Sequence, residues 1–386
     1  MRIRPDIPLA WLQLTREWPR FLAALAGVTF AVVLVFMQLG FSDALYASSV
    51  RMHEALAGDL FLVHPQASYL ALMKPFSRRR LYQTLAFPGV ASVTPVYTIQ
   101  TLWKNPVTAA TRNIFIVGID PTVTVLNLPE VNRQRDQIRR PDVVLFDEAS
   151  RPEYGPVAQE LNAGRLVVTD VGNRRITVTG LFRLGTSFAI DGIIITSEAN
   201  FLRLVPVRPK GLIDIGVIKL RPGVNPEIIQ KVLAASLPRD VEVLTKAGFE
   251  EREKSYWRKS TPIGFVFAFG TIMGTVVGLI IVYQILFADI SDHLAEYATL
   301  KAIGYTNRDL FSVVFQEATI VAVVGFVPGF VLCLWLYQFA GNATFLPLRM
   351  NLPLVVAVLT LTIAMCCASG ALALRKVRTA DPAEVF

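Results

Sequence analysis

Charge is scarce in this chain. Only 18% of the 386 residues are Asp, Glu, Lys or Arg, while 53% are hydrophobic. Residues 21–42, 263–288, 310–340 and 352–374 hold a single Asp, Glu, Lys or Arg between them, Glu317. Buried helices of a water-soluble enzyme are rarely so long and so uncharged. About 20 apolar residues suffice to cross a hydrocarbon core, so the four runs predict four membrane spans. The first run is about 22 residues long, beyond the 7–15 of a signal-peptide core, and no clear small-x-small cleavage site follows it. It reads as a retained helix.

Cysteine is nearly absent as well. The three present, Cys333, Cys366 and Cys367, all fall inside apolar runs. A disulfide framework or a thiolate metal site in the polar part of the chain is thereby excluded. His53, His64 and His293 have no metal-ligand or catalytic spacing, so no metal is expected. No G-x-S-x-G, H-E-x-x-H or G-x-x-x-x-G-K-[ST] motif occurs. Without the backbone cradle and lysine of a phosphate loop, this chain is expected to bind no nucleotide and catalyse no hydrolysis. The net charge of +8 does not indicate nucleic acid. Residues 43–260 carry 28 basic and 21 acidic residues, interspersed as on a solvated surface.

What is present sorts by position. Arg2, Arg4, Arg16 and Arg20 precede the first run, Lys301 and Arg308 lie in loop 289–309, and Arg375, Lys376 and Arg378 follow the fourth. Between the third and fourth runs there is only Arg349. The positive-inside rule then places both termini and loop 289–309 in the cytoplasm, and the long segment 43–262 outside. Leu9, Trp11, Leu12 and Trp18 predict an amphipathic helix on the membrane within segment 1–20.

The outer segment reads as an α+β domain. Short apolar stretches bounded by Gly and Pro predict strands at 59–64, 92–103, 114–119, 143–146, 166–169, 176–181, 192–196, 213–220 and 241–244. Helices are predicted at 77–86, 197–204 and 226–236. Two β-α-β stretches, one on each side of the strand-rich middle, can pair into one sandwich with the middle inserted. The stretches 42–56 and 247–259 would join this domain to the spans as stalks.

Gly270, Gly274 and Gly278 in the second run, and Gly325 and Gly329 in the third, are spaced by four. Small residues at this interval let helices approach closely in lipid. Pro328 is expected to kink the third span. Glu317 is a candidate functional residue, because ionisable groups inside a membrane face partners or cavities.

Between the second and third runs lies the polar stretch 289–304. Asp289 or Ser291 is expected to cap a new helix there, with Gly304 ending it. Leu294, Ala298 and Ile303 share one face. Thr306-Asn-Arg-Asp309 resembles a capping box that restarts the chain into the third span.

The run Glu296-Tyr-Ala-Thr-Leu-Lys-Ala-Ile-Gly304 is similar to the E-[FY]-[AG]-x-L-[KR]-A-[IL]-G signature of MacB/FtsX-type ABC transporter permeases. Gln316-Glu317-Ala318 with Gly325 and Gly329, and the tail from Arg375 to Glu384, resemble further motifs of that family. The layout of one span, a large outer domain and three more spans is similar too. Within the family the chain most resembles DevC, the permease of cyanobacterial DevBCA-type exporters.

The resemblance implies an integral membrane α-helical fold with four transmembrane helices and a large extracytoplasmic α+β domain. On this reading, 1–20 is cytoplasmic, 43–262 periplasmic, 289–309 the coupling loop, 341–351 a short periplasmic loop and 375–386 a cytoplasmic tail. The periplasmic part divides into a porter-like portion (43–104 and 211–246), an insert (105–210) and a stalk (247–262). The resemblance also implies a homodimer in a bacterial plasma membrane, cyanobacterial by the DevC likeness. A separate cytoplasmic ATPase would use the ATP and dock on Leu294, Glu296, Leu300, Lys301 and Gly304. A periplasmic adaptor and a TolC-like outer-membrane channel would complete an exporter, with glycolipid as the suggested cargo. FtsX-like transducers that regulate a cell-wall hydrolase, and lipoprotein-extraction permeases, share the layout and stay open as alternatives.

Overall fold

An apolar run that crosses lipid must close its own backbone hydrogen bonds, and a helix does so within one segment. All four runs are helical in the computed structural model, which describes residues 18–292, 299, 303 and 306–379. The helices are Trp18–Ser49, Pro262–Asp292, Asn307–Thr344 and Leu352–Thr379. Each contains a stretch long and apolar enough to span a membrane. They belong to one unit, Met1–Ala44 with Ile263–Thr344 and Leu348–Phe386. Val28, Val32, Phe36, Val321 and Val358 fill its interior, and the three cysteines are free and buried in the same unit. The third helix continues without interruption through Pro328.

One expectation is corrected here. The second helix runs through Asp289 and Ser291 to Asp292, so neither residue caps a new helix. No Gly or Pro interrupts this turn. The Ser291 hydroxyl donates to the Phe287 carbonyl four residues back, at 2.7 Å, so it serves the existing helix. The candidate coupling residues Leu294, Glu296, Leu300, Lys301 and Gly304 lie outside the described residues, as do segment 1–17 and the tail from 380. Between the described residues Thr299 and Ile303, one helical backbone bond of 3.1 Å is present.

The second unit, Leu45–Pro262 with Phe345–Pro347, is an α/β domain. In chain order its strands are β1 (Leu60–Val63), β2 (Phe76–Ser77), β3 (Val90–Lys104), β4 (Thr111–Ile119), β5 (Val143–Asp147), β6 (Val167–Val171), β7 (Arg174–Phe182), β8 (Ile193–Ser197), β9 (Leu212–Ile213), β10 (Ile215–Leu220) and β11 (Glu242–Thr245). The nine-stranded sheet has the order β11-β1-β10-β3-β4-β8-β5-β7-β6.

β3 divides this sheet into two parts. Its first half pairs with β10, ending at Val96 opposite Ile215, and its second half pairs with β4, starting at Tyr97 opposite Gly118. On the first side, β11-β1-β10-β3 interleaves the two β-α-β stretches, with every neighbour antiparallel. Helices Arg78–Gln83 and Pro226–Ser236 cover one face, each capped by a side chain, Ser77 and Asn225. Leu60 and Leu62 of β1 join the core of Leu81 and Leu233 on those helices. Phe61 and Val63, alternating to the other face, join Met52, Ala55 and Phe249. All four β1 residues are buried because both faces of the strand are covered.

On the other side the sheet curls back on itself. Trp103 of β3 pairs with Val171 of β6, closing the ring β3-β4-β8-β5-β7-β6. Trp103 is fully buried and donates from Nε1 to the Tyr154 carbonyl at 3.0 Å, filling the ring with Phe146 and Tyr154. Closure removes the exposed edges an open sheet would leave.

Candidate functional site

Each unit holds a candidate site of its own. In the helical unit the first helix is the shared partner. A Cβ on Gly325 or Gly329 of the third helix would lie 2.8 Å from Val28 or 2.7 Å from Val32, both on the first helix. On the second helix, a Cβ at Gly270 would strike Gln38, one at Gly274 would touch Leu34 and Val35, and one at Gly278 would strike Ala31 and Met365. Both glycine stripes therefore bring their helices onto the first, and Gly278 also admits the fourth. Thr29 of the first helix donates to the Gly325 carbonyl at 3.0 Å, one turn before Pro328. Tyr337 donates to the Phe36 carbonyl.

Glu317 is fully buried, and neither carboxyl oxygen has a hydrogen-bond partner among the described residues. On its helix it lies three residues after Val314 and four before Val321, both part of the helical core. Arg20, near the start of the first helix, pairs with Asp292, the last residue of the second. This pair is about half exposed, so its worth is about 0–1 kcal/mol. Its interest is positional, because Asp292 stands two residues before Leu294, the first of the candidate coupling residues.

The candidate site of the α/β unit is the junction of the two stalks. After Ser49 the helix is interrupted at Val50, and the chain continues as the short helix Arg51–Ala55. The returning stalk is the helix Lys246–Ser255, capped by Thr245, which continues as a wider π turn over Tyr256–Ser260. Lys246 donates to the Glu54 and Leu56 carbonyls at the end of the first stalk helix, at 2.7 and 3.3 Å. The His53 ring lies edge-on to Phe249, centroids 4.2 Å apart, and Phe249 in turn packs on Phe61 of β1 at 5.3 Å.

Glu253 sits at the centre. Its Oε2 accepts the Leu70 N–H at 2.8 Å, and its Oε1 accepts Trp257 Nε1–H at 2.9 Å. His53 Nε2 lies 3.6 Å from Glu253 Oε2, with both side chains almost wholly buried. This approach is not an ion pair at neutral pH. Burial, aided by the charge of Lys254, holds His53 down at about 3. Burial also pushes Glu253 up to about 7, against the donors Trp257 and Leu70 and the charge of Arg252. The folded junction therefore holds a neutral imidazole against a carboxyl that titrates near neutrality.

Sequence reasoning passed over this cluster, because His53 has no metal or catalytic spacing. A weak signal was there. Phe249, Glu253 and Trp257 recur at intervals of four, a single helical stripe with an acid in its middle. That Glu253 faces His53, 200 positions earlier, depends on β1, β10 and β11 bringing the two stalks to the same sheet face.

Two family models match the chain. The MacB-like periplasmic core domain matches residues 21–236, and the FtsX-like permease C-terminal domain matches residues 267–382. The uncharacterized ABC transporter permease Rv0072 of Mycobacterium tuberculosis (strain ATCC 25618 / H37Rv) is 23% identical over 363 residues, covering 93% of each chain. The uncharacterized ABC transporter permease Mb2592 of Mycobacterium bovis is also 23% identical, again over 93% of each chain. Among solved structures, the periplasmic region of MacB from Actinobacillus actinomycetemcomitans is 13% identical, with a TM-score of 0.36 over 53% of this chain and 96% of that one. With the first family model spanning more than half the sequence and the second most of the remainder, the chain belongs to the MacB/FtsX-type ABC transporter permeases.

Proposed function

We propose that this permease transmits ATP-driven motion from a separate cytoplasmic ATPase to its α/β domain and so drives efflux. The observation that carries this reading is the stalk junction. The two stalks are fastened to each other and to β1 by buried contacts among His53, Phe61, Phe249 and Glu253. A displacement of either stalk is then passed to the domain rather than absorbed in a loose connector. In this reading both termini and loop 289–309 are cytoplasmic and the α/β domain is periplasmic. The chain works as a homodimer and binds no cofactor of its own. The adaptor, the TolC-like channel, a glycolipid cargo and a cyanobacterial plasma membrane follow from the DevC resemblance.

The test is Glu296→Ala combined with Lys301→Ala, assayed by co-purification of the ATPase and by efflux. Loss of both is expected, and full retention of both overturns the docking assignment. Pull-down of the intact chain separates the cellular roles. An adaptor and outer-membrane channel support export, whereas a peptidoglycan hydrolase would make the chain a transducer that transports nothing.

A further inference from the structure

The loop between β7 and β8, residues 183–191, touches three segments that arrive from distant parts of the sequence. Arg51, which opens the first stalk helix, donates from Nη1 to the Thr186 carbonyl at 3.2 Å. Phe188 sets its ring edge-on to Trp257 of the second stalk, with centroids 5.5 Å apart. The Thr186 hydroxyl donates to the Phe345 carbonyl at 3.1 Å. Phe345–Pro347 lies in sequence between the third and fourth membrane helices, yet it packs as part of the α/β unit.

This loop is fastened to the closed sheet. Asp147, fully buried at the end of β5, accepts the backbone N–H of Leu184 at 3.1 Å and of Gly185 at 2.8 Å. Gly185 has φ +97, and the Arg51 guanidinium occupies the place where a side chain would stand. Gln100 of β3 donates to the Ala189 carbonyl at 3.0 Å. The loop therefore moves with the insert. On the other side of the contact, Phe345 holds φ 60, a left-handed conformation that residues bearing a Cβ seldom adopt. Such a backbone persists where its surroundings over-determine it, and the Thr186 hydroxyl on the Phe345 carbonyl is one of those restraints.

We propose that residues 183–191 are where the insert collects motion from the membrane helices, and that Thr186 is the positioning residue joining the third–fourth helix connection to it. The stalks reach this loop through Arg51 and Trp257, and the third and fourth helices reach it through Phe345. Thr186 is thus a third anchor beside the two stalks. The proposal rests on the force-transmission reading above.

Hydrogen–deuterium exchange on the full chain in nanodiscs, alone and with its ATPase partner, tests it. Without nucleotide, Thr186→Val is expected to speed exchange over residues 343–351 about five-fold, the effect of one neutral hydrogen bond. Thr186→Ser, which keeps the hydroxyl, should match the wild type. With the ATPase and ATP, exchange over 183–191 and 343–351 should change together in the wild type and in Thr186→Ser, and separate in Thr186→Val. Wild-type behaviour of Thr186→Val in either comparison overturns the anchor while leaving the force-transmission reading intact. An unresponsive wild type, with neither segment altered by ATP, overturns that reading and the role of Thr186 within it.

Discussion

Replacing Glu253 with Gln should expose a pH dependence that the wild-type stalk junction conceals. Between about pH 4.5 and 6.5 the folded pair carries one proton, on Glu253, because His53 is held down at about 3 and Glu253 pushed up to about 7. In the unfolded chain, with ordinary values of 6.5 and 4.5, the pair again carries one proton, now on the histidine. The proton counts match, so the pair adds no slope to stability in this window. Each half alone does. His53 has a lowered folded value, so its contribution is complete above 6.5 and is lost as pH falls toward 3. Glu253 has a raised folded value, so its contribution is complete below 4.5 and is lost as pH rises through 7. In Glu253→Gln only the histidine half titrates. Relative to wild type, the variant should lose about 2–3 kcal/mol between pH 6.5 and 4.5, taking about 1.4 kcal/mol per unit. The assay is urea unfolding of the intact detergent-solubilised chain at the two pH values, followed by tryptophan emission, since Trp257 lies against Glu253. His53→Gln should show the opposite sign, gaining stability as pH falls from 7 to 4.5. A Glu253→Gln curve parallel to wild type across this window would refute the neutral-pair assignment.

Other perturbations test the remaining supports. Gly325→Val drives a Cβ to 2.8 Å from Val28 and should destabilise the helical unit by about 1–3 kcal/mol, read as a lowered melting temperature in detergent. Arg208→Met leaves Asp214 buried without its partner, and should cost the α/β domain about 3–5 kcal/mol. Adding Asp214→Leu should recover part of that loss, since only the Thr98 N–H, now bonded to Asp214 at 2.7 Å, then stays unpaired. An unaltered urea midpoint in Arg208→Met would show the pair to be dispensable.

Much of the architecture was legible because it follows from local chemistry. The four apolar runs announce spanning helices, since lipid offers the backbone no other partners. The glycine intervals in the second and third runs announce close packing. The short apolar stretch at Leu60–Val63 announces a strand, and the helices expected at 77–86, 197–204 and 226–236 form, each with a side-chain cap, at Ser77, Ser197 and Asn225. The expected helix start at Asp289 or Ser291 failed for an equally local reason. A serine in a continuing helix can return its hydroxyl to the carbonyl four residues back, and residue type alone does not separate that use from a cap.

The sequence by itself determined which segments cross the membrane and which short apolar stretches form strands, because burial in lipid or in a sheet selects apolar side chains along a local stretch of chain. Only the tertiary structure decided that β3 serves both parts of the large sheet, that Trp103 meets Val171 to close the ring, and that the His53 ring lies against the Glu253 carboxyl. The same holds for Arg51, Trp257 and Phe345, which converge on one loop. These are contacts between residues tens to hundreds of positions apart. Their energies depend on distance and burial in three dimensions, which leave no periodic trace along the chain.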